Sequence, residues 1–97
     1  MPVYLIIDVI VHDAEIYAQY VQQVPDLVEK YGGSYLVRGG EVFPVSGDWY
    51  PQRIILIEFD AIEQVQEFFT SPEYQALVPL RERSTNSRAI IVEGFRP

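Results

Sequence analysis

The sequence predicts an α+β chain with the element order strand, helix, strand, strand, helix, strand. Three observations point there. Four short runs are rich in β-branched and aromatic residues, two amphipathic segments of helical period separate them, and glycines and prolines stand at the joins.

The first run, Val3 to Val11, carries Asp8 as its only charge, which favours a strand covered on both faces. Asp13 is placed to cap the helix that follows. There Ile16, Tyr20, Val24, Leu27 and Tyr31 recur at helical steps, while Glu15, Gln19, Gln22 and Lys30 fall elsewhere. Pro25 inside it either kinks the helix or starts a second short one, because proline removes a backbone donor.

Gly32-Gly33 ends the helix by supplying positive φ, and Ser34 to Arg38 forms the second strand before Gly39-Gly40. Glu41 to Gln52, with Pro44, Gly47 and Pro51, has the chemistry of a long hairpin connection to the third strand, Arg53 to Phe59. Asp60 and Glu63 have capping-box spacing, and Ile62, Val65 and Phe69 give the second long helix its apolar stripe. Ser71-Pro72-Glu73 starts a short extra helix expected to reach about Val78 and stop at Pro79, and Arg88 to Gly94 is the fourth strand.

Right-handed crossovers put both long helices on one face of a four-stranded antiparallel sheet, with the first and third strands in the middle. This is the ferredoxin-like βαββαβ plan, expected as one domain over residues 1–97.

Composition narrows the function classes. With 48% hydrophobic and 22% charged residues the chain has the make-up of a folded protein. Fourteen acidic against seven basic side chains give a net charge of -7, which disfavours nucleic acid and anionic membrane as partners. The absence of cysteine removes disulfides and thiolate chemistry. The N-terminus carries no basic segment and no apolar stretch reaches ~20 residues, so a soluble, cytoplasmic protein is expected.

The central strands predict a partner. Alternation places Val3, Leu5, Ile7 and Val9 towards the helices and leaves Tyr4, Ile6, Asp8 and Ile10, with Ile54, Leu56 and Glu58 of the third strand, on the other face. A sheet face so apolar calls for a cover, and a second copy packed face to face makes a barrel-like homodimer with room for a pocket.

Tyr31-Gly32-Gly33-Ser34-Tyr35-Leu36-Val37-Arg38-Gly39-Gly40 is the most distinctive stretch. It is followed by Trp49, Pro51 and Arg53, by Ile57-Glu58-Phe59, by Ser71-Pro72-Glu73-Tyr74 and by Pro79-Leu80-Arg81. Over essentially its whole length the chain resembles the family called domain of unknown function 1330, in the dimeric α/β-barrel group of ferredoxin-like folds. The resemblance implies that fold and a dimer. The wider group contains cofactor-free monooxygenases, small lactone isomerases and stress-related barrel proteins, so a small organic molecule in the barrel is implied by analogy of fold.

The same strand projection places Asp8, Arg38, Glu58 and Glu93 together on the face away from the helices, one charge per strand. Carboxylates crowded in a partly apolar cavity become usable acids or bases, so Asp8 and Glu58 are the candidate catalytic residues. Arg38 is the candidate clamp for a ligand oxyanion, with Glu93 beside it; the alternative is a satisfied ion pair that fixes register or the dimer interface. Trp49 is a candidate for closing over the pocket or for packing across the dimer. Tyr74 is a candidate ligand hydroxyl or the anchor of the short helix. His12, the only histidine, is expected in a solvated loop or, alternatively, as a proton shuttle at the barrel mouth. No metal and no cofactor are expected, since neither a multi-histidine pattern nor a phosphate loop occurs. The expected function is cofactor-free acid-base chemistry on a small organic acid or carbonyl compound; the alternatives are ligand binding without chemistry and a purely structural dimer.

Overall fold

The computed structural model describes residues 1–96. Eight elements follow one another: β1 (Val3–Val11), α1 (Ala14–Lys30), β2 (Ser34–Arg38), β3 (Arg53–Phe59), α2 (Ile62–Thr70), α3 (Pro72–Gln75), α4 (Val78–Ser84) and β4 (Thr85–Glu93). The sheet runs β2-β3-β1-β4 with every neighbouring pair antiparallel. It carries its helices on one face, as the ferredoxin-like plan requires.

Period-two alternation makes the core. Val3, Leu5 and Val9 of β1 pair across the sheet with Phe59, Ile57 and Arg53, and the apolar members of this set are buried beneath Val24 and Val28 of α1 and Val65 and Phe68 of α2. The Cα extent along the thinnest axis is 16 Å, the thickness of one helix layer on one sheet. Among the described residues no helix lies over the other sheet face. There Ile6, Ile54 and Leu56 are half-buried, Ile10 is exposed, and Ile90 and Val92 of β4 are 60% and 43% exposed.

Local chemistry sets the helix ends. Asp13 Oδ1 accepts from the Ile16 amide at 3.1 Å, so the expected cap forms. One helix continues through Pro25, leaving the Val21 carbonyl without its usual donor four residues on. Gly32 ends the turn at φ +89°, and a Cβ on Gly33 would lie 2.8 Å from the Phe59 ring, so the second glycine is there for close approach of α1 to the sheet. The Asp60–Glu63 capping box does not form. Ala61 is the cap residue, and Gln64 Oε1 accepts from the amides of Asp60 and Ala61 at 2.9 and 3.4 Å, one residue along from the expected pair.

Pro79 also acts differently from expectation. It lies in the first turn of α4, where its missing N–H is free of cost, so it begins a helix that the sequence suggested it would end. The chain therefore reaches Thr85 before β4 starts, three residues ahead of the expected Arg88.

The largest departure is in β2. Tyr35 pairs with Ile57 and Val37 with Leu56, so Leu36 is the extra residue of a β-bulge. One inserted residue moves everything after it to the opposite face. Arg38, opposite Ile55, therefore points with Tyr35 to the helix side of the sheet.

Candidate functional site

On the helix side, the sheet and helices do not close completely. A cavity of about 240 Å³ opens between Leu5, Ile7, Val9, Ile55 and Ile57 of the sheet and α1, α2, α3 and α4. It is somewhat smaller than the ~300 Å³ at which drug-sized ligand sites begin, so it suits a small molecule. Four tyrosines line it: Tyr17 and Tyr20 from α1, Tyr35 from β2 and Tyr74 from α3. Arg38, Arg53 and Arg81 also line it, and no Asp or Glu is among the lining residues. Arg88 borders it too, but its guanidinium is bonded to Asp8 on the far face.

Each polar side chain is held by local structure. Ser71 caps α3 by accepting from the Tyr74 amide at 3.1 Å and donating to the Phe68 carbonyl at 2.8 Å. That turn drives Tyr74 into the aromatic cluster, 4.6 Å from Phe68 and 5.4 Å from Phe69 between ring centroids, and leaves it only 2% exposed. At its tip the Tyr74 and Tyr20 hydroxyls are 2.8 Å apart, and Arg81 Nη1 donates to Tyr74 at 3.0 Å. Arg81 also has the exposed Glu82 carboxylate 3.8 Å away, a surface pairing of little consequence.

At the other end of α1's inner face, Arg53 Nε donates to Tyr17 Oη at 3.1 Å, and the guanidinium lies 5.6 Å from that ring's centroid. Gly39 makes this possible, since a Cβ there would stand 1.9 Å from Arg53 Nη1. Tyr17 stacks on Tyr20 with centroids 6.0 Å apart, so the two arginine–tyrosine pairs form a continuous wall. Arg38 lies over the Tyr35 ring at 5.0 Å.

Burial pushes the Tyr20 phenol far above its ordinary range, and the neighbouring Tyr74 hydroxyl adds to it. Burial also raises Tyr35, with Arg38 opposing. These hydroxyls are therefore neutral hydrogen-bond donors. Together with three guanidiniums they make an electropositive enclosure inside a protein of net charge -7. Among the described residues no three His, Asp or Glu side chains come together as a metal site requires.

The four charges expected on the far face do not converge. Arg38 is on the helix side because of the bulge, and Glu93 is there too because it pairs with the inward-facing Val3 at the exposed end of β4. Asp8 and Glu58 do share the far face, but Glu58 pairs with Tyr4, four residues from Asp8, which puts them ~13 Å apart along the strand. Asp8 Oδ2 accepts from Trp49 Nε1 at 3.1 Å and from Arg88 at 3.0 and 3.1 Å, tying the long β2–β3 connection and β4 to β1. Glu58 accepts from the Tyr4 hydroxyl at 3.1 Å, a bond that raises the Tyr4 pKa. Trp49 is thus on the far face. Of the residues expected to bind a ligand, Arg38 and Tyr74 line the cavity. Tyr17, Tyr20, Tyr35, Arg53 and Arg81 join them without having been expected at a site; Tyr20 shows in the sequence only on the apolar stripe of α1, and Tyr35, Arg53 and Arg81 only within the stretches that carry the family resemblance.

Comparison with known proteins fits this architecture. The family model described as domain of unknown function (DUF1330) matches residues 2–95. The structure is similar to a protein of unknown function from Rhodopseudomonas palustris, RPA0582, with TM-score 0.81 and 21% identity over 99% of this chain and 84% of that one. SnoaB, a cofactor-independent oxygenase from Streptomyces nogalater, has TM-score 0.72 and 8% identity over 99% and 95%. A dimeric protein of unknown function and ferredoxin-like fold from Bacteroides fragilis has TM-score 0.56 and 17% identity over 96% of each chain. None of the curated proteins matches the chain significantly. At these identities the likenesses speak for the fold.

Proposed function

We propose that this chain, which belongs to the DUF1330 family, binds a small organic anion, a carboxylate or the enolate of a carbonyl compound, in the cleft between its helices and its sheet. One observation carries the proposal: three guanidiniums and four phenols line the cleft and no carboxylate does, although acidic side chains outnumber basic ones fourteen to seven. Arginine forks and phenol donors in a partly dry site stabilise negative charge on oxygen, and the ring faces accommodate a flat carbon skeleton.

The lining also limits the chemistry. It holds no carboxylate, imidazole or amine to act as base, so the ligand arrives ionised or loses its proton to water on binding. Any catalysis here works by stabilising developing negative charge. That the fold is shared with a cofactor-independent oxygenase supports such chemistry. Asp8 and Glu58 as bases belong to a separate site, the far sheet face, and Asp8→Asn tests them there: substrate depletion that survives the substitution removes Asp8 from that role.

The second part of the proposal is a homodimer through the far face, where Ile6, Ile54, Leu56, Ile90 and Val92 form an uncovered apolar surface. The similar Bacteroides fragilis protein, which is dimeric, supports it.

The test of the ligand class is a thermal-shift panel of small carboxylates and 1,3-dicarbonyl compounds set against their neutral amide analogues. An anion at a hundredfold excess over its Kd adds about 2.7 kcal/mol, roughly 10 °C or more for a domain of this size. Arg81→Met reduces affinity about tenfold or more. Equal shifts from the neutral analogues, or no shift from any anion, contradict the proposal.

A further inference from the structure

The tyrosine pair at the inner end of the cleft has a surplus proton. Tyr20 and Tyr74 carry one hydroxyl proton each, and their mutual contact at 2.8 Å uses one. Arg81 brings its own N–H to Tyr74, so it fills an acceptor site and takes up no proton. One phenol O–H is therefore left over whichever way the pair is oriented. No protein acceptor for it occurs among the described residues: on Tyr74, only 2% exposed, it is shut off from bulk water, and on the half-buried Tyr20 it is open to whatever occupies the cleft that Tyr20 lines. A buried donor without an acceptor is a site for one.

The Arg81 guanidinium sharpens the specificity. Arginine recognises carboxylate best by presenting two parallel N–H bonds to its two oxygens. At Arg81 the Nη1 end of that fork is already spent on Tyr74. What remains is one phenol O–H and the other side of the guanidinium, whose Nη2 has only the exposed Glu82 carboxylate at 3.8 Å, and this reduced donor set suits a single charged oxygen better than a pair.

We infer that Tyr20, Tyr74 and Arg81 form a receptor for one oxyanion, which makes the ligand an enol or phenol held as its anion in preference to a simple carboxylate. The inference rests on the anion-binding cleft proposed above and narrows its ligand class. On binding, the ligand's O–H bond breaks heterolytically, its proton passes to water, and the oxygen takes the phenol O–H and the guanidinium in exchange. Burial that keeps Tyr20 neutral keeps the donor in place.

The experiment uses 4-nitrophenol, whose ionised form alone is yellow, as a probe of the full-length protein, with benzoate titrated in parallel. Bound probe is expected to ionise at a pH lower by about one unit or more, meaning that the site holds phenolate about tenfold more tightly than phenol. Tyr74→Phe and Tyr20→Phe, which keep their rings in the aromatic cluster, each lose most of that shift. Tyr50→Phe, in the exposed β2–β3 connection and away from the cleft, retains it. Arg81→Met, at a more exposed position, loses it as well, and secures the result if a tyrosine variant fails to fold. Probe bound with unshifted ionisation, or a full shift in Tyr74→Phe, overturns the inference. Benzoate binding without any binding of the probe overturns it too and leaves the anion cleft standing; failure of both to bind defeats the cleft itself.

Discussion

Alanine at three glycines of one connection separates backbone strain from the seating of a cleft arginine. Gly39 has φ +75°, and a Cβ added to it would lie 1.9 Å from Arg53 Nη1 and 2.4 Å from its Cζ. Gly47 has φ +79° but open space around it, and Gly40 has neither a positive φ nor a neighbour within 4 Å. Left-handed backbone costs a residue with a Cβ about 1–2 kcal/mol. At position 39 the guanidinium is the end of a flexible chain, so it swings aside and forfeits its bond to Tyr17, about 1 kcal/mol more at this half-exposed site. Gly40→Ala is therefore expected to stay within about 0.5 kcal/mol of the parent. Gly47→Ala loses about 1–2 kcal/mol and Gly39→Ala about 2–3 kcal/mol. Urea unfolding followed by circular dichroism reads these as shifts in midpoint at constant m. Adding Tyr17→Phe to Gly39→Ala should then cost nothing further, because the bond it removes is already gone. Equal losses at 39 and 47, or an undiminished cost of Tyr17→Phe in the double variant, refute the seating of Arg53 against Gly39.

Three further outcomes follow from the same structure. Ser71→Ala removes both the cap on Tyr74 and the bond to the Phe68 carbonyl, and is expected to lower unfolding stability by about 1–2 kcal/mol. The raised Tyr20 pKa means that the neutral phenol is favoured in the fold. Its contribution is complete below the unfolded value of about 10 and is lost as pH rises beyond it, with Tyr35 acting in the same direction. Tyr20→Phe should accordingly flatten the alkaline limb of a stability–pH profile and leave the limb below neutrality unchanged. Light scattering at micromolar concentration should give twice the 11.2 kDa chain mass for the parent, and Leu56→Asp, in the middle of the apolar face, should return the single-chain mass; a monomeric parent contradicts the proposed dimer.

Most of the architecture is legible in the sequence because it depends on periods and punctuation. Alternation in Val3–Val11 and Arg53–Phe59 sets the buried face of the sheet, Asp13 and Ser71 fix two helix starts, and Gly32-Gly33 fixes a helix end. The candidate site is less legible because it hangs on one inserted residue. A strict period of two through Ser34–Arg38 sends Arg38 to the far face with Asp8 and Glu58, whereas the bulge at Leu36 turns it towards the helices. No single residue in Ser-Tyr-Leu-Val-Arg marks that bulge; it is a property of how β2 registers on β3. Tyr20 shows the complementary limit. Its place on the apolar stripe of α1 is visible in the sequence, but that its hydroxyl meets Tyr74 from fifty-four residues away is decided only by packing. Composition is silent on the site: a net charge of -7 is a sum over the whole chain, while three of its seven basic side chains gather in one cavity.

The central claim, that the ligand site lies on the helix side of the sheet and takes anions, is tested most directly by amide chemical shifts during a benzoate titration of the ¹⁵N-labelled protein. Saturable shifts are predicted at Tyr17, Tyr35, Arg38, Tyr74 and Arg81, with benzamide producing none. Shifts centred on Ile6, Asp8, Leu56 and Glu58 would place the site on the far face instead and contradict the claim.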